Sequence, residues 1–139
     1  MENNYIFVPV VIQVALTLWL YIYLAIAKSQ AVKLGEVNEG RRALHDDAWP
    51  DRVLQINNCI RNQFEVPVLF YVLIGILWSI EGINIYVHIA AYVFVLSRIG
   101  HAVIHTGSNY VPLRRKLFMT GCCILIGMTV FSVFKIVCI

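Results

Sequence analysis

The sequence predicts an all-α integral membrane protein, a four-helix bundle with four transmembrane helices per subunit. Three observations carry that prediction. Of 139 residues, 60% are hydrophobic and 14% charged, and the mean hydropathy is +0.74, far from the composition of a soluble domain. The charges crowd into two places, Lys28 to Arg61 and Arg114 to Lys116, leaving four long stretches almost bare. Each bare stretch is long enough to cross a hydrocarbon core of about 30 Å. The length allows one domain, residues 1–139. The net charge of +3 comes from the flanks of the spans and reads as a topology signal. A nucleic-acid surface would need a basic face in water.

The first span is Tyr5 to Ala27, which holds no charge. Ala25-Ile26-Ala27 resembles a signal-peptide cleavage site, but no basic residue precedes the run and it exceeds a signal core in length, so a retained span is expected. Gln13 and Thr17, four apart, share a face suited to packing between helices. Residues 28–51 are polar, with Gly35 and Gly40 as breakers and Trp49-Pro50 as a boundary. The chain resumes as a helix from about Arg52, enters the membrane near Asn62 and runs to Ile80. Pro67 lies inside it and predicts a kink, since proline has no N–H for the preceding turn.

Glu81-Gly82-Ile83-Asn84 is a tight turn, the third span runs from about Ile85 to Ile104, and Thr106-Gly107-Ser108-Asn109 ends it. The last helix follows Pro112, from about Leu113 to the C-terminus. Lys and Arg gather in the first and third loops, and the N-terminus and second loop have none. The positive-inside rule therefore places loops 28–51 and 106–116 in the cytoplasm, with both termini opposite. Lys135 dissents and is expected to snorkel to the far interface.

Cys59, Cys122, Cys123 and Cys138 show no CxxC or Cys/His metal spacing. Most are expected to be small buried hydrophobes, with Cys59 a candidate reactive thiol beside the polar residues; no disulfide framework and no metal site is expected.

Ionisable groups at membrane depth cost roughly 2.5–3.5 kcal/mol each at a helix centre, so they face a bundle interior, a partner or a water-filled cavity. Asn58, Arg61, Asn62 and Glu65 fall at i, i+3, i+4 and i+7 on the second span, one stripe on a continuous helix. Arg98, His101 and His105 fall at i, i+3 and i+7 on the third, and Arg114 opens the fourth at the same level. One reading is structural: Glu65 neutralises Arg98 or Arg61, and the asparagines bond between helices. The other notes the surplus of cations. Glu65 set against Arg61, Arg98, Arg114, Arg115 and Lys116 leaves a cationic pocket that suits an anionic ligand, with Arg forks on carboxylates and Glu65 and Asn62 on an amine. Glutathione offers those groups and a thiol, whose ordinary pKa of about 8.5 a guanidinium lowers toward the nucleophilic thiolate.

These residues resemble the membrane-associated proteins in eicosanoid and glutathione metabolism, the MAPEG family. Arg61-Asn62-x-x-Glu65 is similar to the family's second-helix glutathione signature. Arg98-x-x-His101-x-x-x-His105, followed by Pro112-Leu113-Arg114, is similar to its later pattern, and the likeness spans nearly the whole chain. The resemblance implies a homotrimer binding glutathione as co-substrate between subunits, with Arg114 stabilising the thiolate. Arg61, Asn62 and Glu65, with Arg98, His101, His105 and Asn58, would then hold the peptide. It further implies a small lipophilic substrate and membrane lipid as partners, and residence in the inner membrane of a bacterium or the endoplasmic reticulum of a eukaryote. Asn58 departs from an arginine of the prostaglandin E synthases in the family, and His105 and Phe118 from tyrosines. The expected activity is conjugation of a lipophilic electrophile or reduction of a lipid hydroperoxide. The alternatives are a non-enzymatic lipid-binding or scaffold protein on the same fold, and a small transporter.

Overall fold

The structure, a computed structural model, describes residues 3–138. They form helices α1 (Phe7–Lys33), α2 (Asp51–Gln63), α3 (Val66–Ser79), α4 (Ile85–Thr106) and α5 (Val111–Cys138), with 3-10 turns at Asn3–Ile6 and Asp46–Ala48. Helices α2 and α3 continue one another, so four helical segments are long and apolar enough to cross a membrane. The all-α expectation therefore holds; α1 runs on to Lys33, past the expected end of the first span at Ala27, and the other spans start and end close to where hydropathy placed them.

Local chemistry explains the ends. Helix α1 stops where Gly35 adopts a left-handed backbone (φ 69°). The N–H of Gly35 then reaches the Val32 carbonyl and that of Glu36 the Ala31 carbonyl, the Schellman arrangement that satisfies a helix's last acceptors. Asn84 caps α4, its side chain accepting from the Val87 N–H at 3.0 Å. At the other end of α4, a Cβ on Gly107 would lie 2.9 Å from the Val103 carbonyl oxygen, so the turn into α5 requires glycine there.

The expected kink is a full break. The chain leaves helical geometry at Phe64 and Glu65, and Pro67 sits in the first turn of α3, where its missing N–H costs nothing. An unbroken helix would pair the Asn62 carbonyl with the Val66 N–H; instead that carbonyl accepts from Arg98 Nη2 at 3.3 Å. The Gln63 amide turns back onto the Cys59 carbonyl at 3.2 Å and is itself met by Gln13 Nε2 at 2.8 Å. The break is thus held by side chains from α1 and α4. The expected single stripe of Asn58, Arg61, Asn62 and Glu65 is corrected by it, because Glu65 lies beyond the end of α2.

Two apolar cores flank this polar layer. One joins α3, α4 and α5 through residues such as Leu73, Ile74, Val95 and Leu125, with Phe70 and Phe94 stacked at 4.5 Å. The other joins Leu20, Leu24 and Ala27 of α1 to Val53, Ile56 and Ile60 of α2 and Ala102 of α4. Helix α4 touches both and is the most enclosed of the spans. Among the cysteines, Cys59 is buried as expected, but Cys123 and Cys138 face outward and Cys122 is half-buried.

Candidate functional site

The end of the bundle where α1 and α4 finish and α2 and α5 begin carries most of the chain's basic residues. On its inner side the 3.6-residue period of α4 turns Arg98, His101 and His105 toward the bundle, and all three are buried. Arg98 is fully enclosed, 0% exposed, and its guanidinium lies 5.8 Å from the ring centre of Phe118 on α5. It makes the one bond to the Asn62 carbonyl, while its Nε and Nη1 meet no partner.

His101 Nδ1 lies 3.2 Å from the carbonyl oxygen of Arg114. A carbonyl only accepts, so Nδ1 carries the hydrogen and a neutral ring presents Nε2 as a lone pair. That Nε2 is buried without a partner, as is Nδ1 of His105. The two imidazoles meet edge to face with centroids 5.4 Å apart, and His101 also lies 5.9 Å from Phe118. Among the described residues no third His, Cys, Asp or Glu joins them in a metal-sized group. Arg114 is half-buried, and its Nη1 donates to Oδ1 of Asn109.

Buried donors and acceptors with no partner are rare, because each costs on the order of 1–3 kcal/mol. Here Arg98 offers N–H groups and a fixed charge beside two imidazole nitrogens. The set matches a ligand with an anionic group and a proton to share.

The residues expected on the second span divide from this inner set. Arg61 is exposed and paired with Asp46 of the preceding 3-10 turn. Asn58 is exposed; its carbonyl accepts from the half-buried Asn62 side chain at 3.2 Å. Glu65 is exposed at the break and enters no ion pair among the described residues. It forms no ion pair with Arg98 or Arg61, where the structural reading of the sequence expected one. The cationic pocket is also smaller than the charge count implied. Arg98 and Arg114 form it, Asp46 offsets Arg61, and Arg115 and Lys116 lie exposed on the outer surface.

Sequence reasoning missed two participants. Asn109 was legible only as a turn residue, yet its left-handed backbone (φ 51°) aims its amide at Arg114. Gln63 lies within the recognised motif but was assigned no part, and it supports the break from within. The family model described as MAPEG family matches residues 6–134 of the chain. No curated protein and no solved structure gives a significant match.

Proposed function

This chain belongs to the MAPEG family, a membrane family of glutathione and eicosanoid metabolism, and from that membership we propose that it binds glutathione and directs its thiolate at lipophilic electrophiles or lipid hydroperoxides. The observation that carries the reading is the buried Arg98, whose Nε and Nη1 lack partners beside the unpaired nitrogens of His101 and His105. Such a group favours a carboxylate of the tripeptide, with the fork geometry a guanidinium offers. Arg114, at the mouth of the same set, is placed to favour thiolate over thiol.

The outer set (Asn58, Arg61, Glu65) is exposed, whereas the inner set (Arg98, His101, His105, Arg114) is buried or half-buried. In the homotrimer implied by the resemblance, a neighbouring copy completes the site around both sets. Glu65 and Asn62 then hold the amine and amide groups. In conjugation the sulfur lone pair forms a bond to an electrophilic carbon, and the leaving group departs with its electron pair. In peroxide reduction the thiolate attacks the distal oxygen, the O–O bond breaks and the alkoxide takes a proton. The resulting glutathione sulfenic acid gives disulfide and water with a second glutathione. The first and third loops face the cytoplasm in this reading, where glutathione is supplied.

Arg114→Ala tests the chemistry. Loss of the cation raises the bound thiol's pKa, so turnover of a lipophilic electrophile falls at neutral pH and partly returns at alkaline pH, with glutathione binding less affected. Arg114→Lys retains charge and part of the rate. Arg115, about 100° around the helix and exposed, is the control, and Arg115→Ala leaves turnover unchanged. A wild-type protein that binds lipid but turns over neither class of substrate supports the non-enzymatic alternative instead.

A further inference from the structure

Arg115 and Lys116 have no place in the inner site. They are exposed, form no ion pair among the described residues, and stand near the start of α5, at the end of a segment long and apolar enough to cross a membrane. Below them a groove of about 960 Å³ runs between α5 and Val93 of α4. Its α5 wall is two neighbouring i, i+4, i+8 rows, Arg115-Met119-Cys123 and Lys116-Thr120-Ile124, each headed by a cation. The one hydroxyl in those rows, on Thr120, is turned back onto the Lys116 carbonyl at 3.0 Å. Beneath the two charges the wall is therefore apolar in effect.

Two other grooves provide the comparison. One, of about 310 Å³, lies between α3 and α5 against Leu69, Leu125 and Ile126. The other, of about 420 Å³, lies at the opposite end of α4 and α5 against Ala90, Met128 and Phe131. Neither is lined by a charged side chain. All three suit an acyl chain by their walls, but charge distinguishes the first.

We propose that the groove headed by Arg115 and Lys116 is a binding site for an anionic phospholipid. The headgroup phosphate, with no choline ammonium to oppose Arg115 and Lys116, lies between the two cations, and one acyl chain runs down the Met119-Cys123 row. Basic recesses between transmembrane helices recognise anionic headgroups because the charges act at the interface, where water screens them less than in bulk. The long stems of Arg and Lys let both heads reach the phosphate while their methylenes cover the apolar wall. Roughly five-fold in affinity per cation gives at most on the order of 25-fold discrimination for two. The site is separate from the inner one, so it holds whether or not the protein uses glutathione.

Native mass spectrometry of the purified protein, offered equal amounts of phosphatidylglycerol and phosphatidylcholine, tests it. The wild type retains phosphatidylglycerol over phosphatidylcholine by roughly ten-fold, and the Arg115→Gln/Lys116→Gln double variant shows no preference. Removing two cations from the first loop, by Lys33→Gln and Arg42→Gln, leaves the preference intact. Both pairs of changes are on exposed side chains and leave the fold undisturbed. Cys123→Trp fills the acyl path and reduces retained lipid with the cations still present. The proposal is overturned if the Arg115/Lys116 variant keeps the preference or the first-loop variant loses it equally. It is also overturned if Cys123→Trp changes the mass of the assembly rather than its lipid load, which would make the groove an interface between copies.

Discussion

The Nδ1–H of His101 donates to the Arg114 carbonyl oxygen across 3.2 Å, tying the buried face of α4 to the first turn of α5. The bond fixes the imidazole's tautomer and the height of Arg114 together. His101→Phe keeps the ring volume and its contact with Phe118 but removes the donor. Stability falls by about 1 kcal/mol, the usual net worth of such a bond. Turnover falls too, and its pH profile moves to the alkaline side as Arg114 loosens. Thermal melts and pH-rate curves read the two effects separately; a lowered rate with an unmoved profile would assign His101 to ligand contact alone.

Asn109 holds the other end of Arg114. Its backbone is left-handed, φ 51°, which glycine adopts without strain, so Asn109→Gly removes the acceptor and preserves the turn. Asn109→Asp instead places a carboxylate against the guanidinium. The aspartate variant has the lower neutral-pH turnover of the two, because its charge opposes thiolate formation, and its rate recovers at alkaline pH. Measuring both variants across pH checks the ordering.

Glu65 is exposed and free of ion pairs among the described residues, so Glu65→Gln breaks no salt bridge. Its effect on stability stays within about 0.5 kcal/mol, as for other surface changes. If Glu65 holds the glutathione amine, affinity drops with the fold intact. Calorimetric titration beside a thermal melt separates this from a structural role, in which the melting temperature would fall and affinity would not.

The spans were legible because length and hydropathy act locally. The inward face of α4 was legible because Arg98, His101 and His105 recur at helical spacing and cannot face lipid. What escaped were contacts between residues far apart in sequence. Pro67 announced a kink, but a complete break depends on Arg98 reaching the Asn62 carbonyl and on Gln13 reaching Gln63 from another helix. Arg61 looked like a pocket residue because its partner, Asp46, lies across a loop whose path no periodicity reveals. Charge counting likewise placed Arg115 and Lys116 with Arg114, though successive helical residues point about 100° apart.

The positive-inside rule predicts the sidedness. Gly40→Cys and Ser108→Cys, in the two basic loops, react with an impermeant maleimide only from the cytoplasm, and Glu81→Cys only from the opposite side. Glu81 already occupies a left-handed position (φ 53°), so the substitution adds no new backbone strain there. Labelling of Glu81→Cys from the cytoplasm would reverse the orientation.

The most direct measurement is calorimetric titration of reduced glutathione into the wild-type protein and into Arg98→Met, with thermal melts of both. Arg98 is buried with two unpaired donors, and Arg98→Met removes that charge together with its bond to the Asn62 carbonyl, so the melts read the cost of the lost bond apart from affinity. The predicted result is saturable millimolar binding by the wild type, at least roughly ten-fold weaker in Arg98→Met (about 1.4 kcal/mol), with the variant still melting cooperatively at a temperature lowered by no more than the loss of one hydrogen bond, about 1 kcal/mol. Absence of saturable binding by the wild type, or undiminished binding by the folded Arg98→Met protein, would contradict the account.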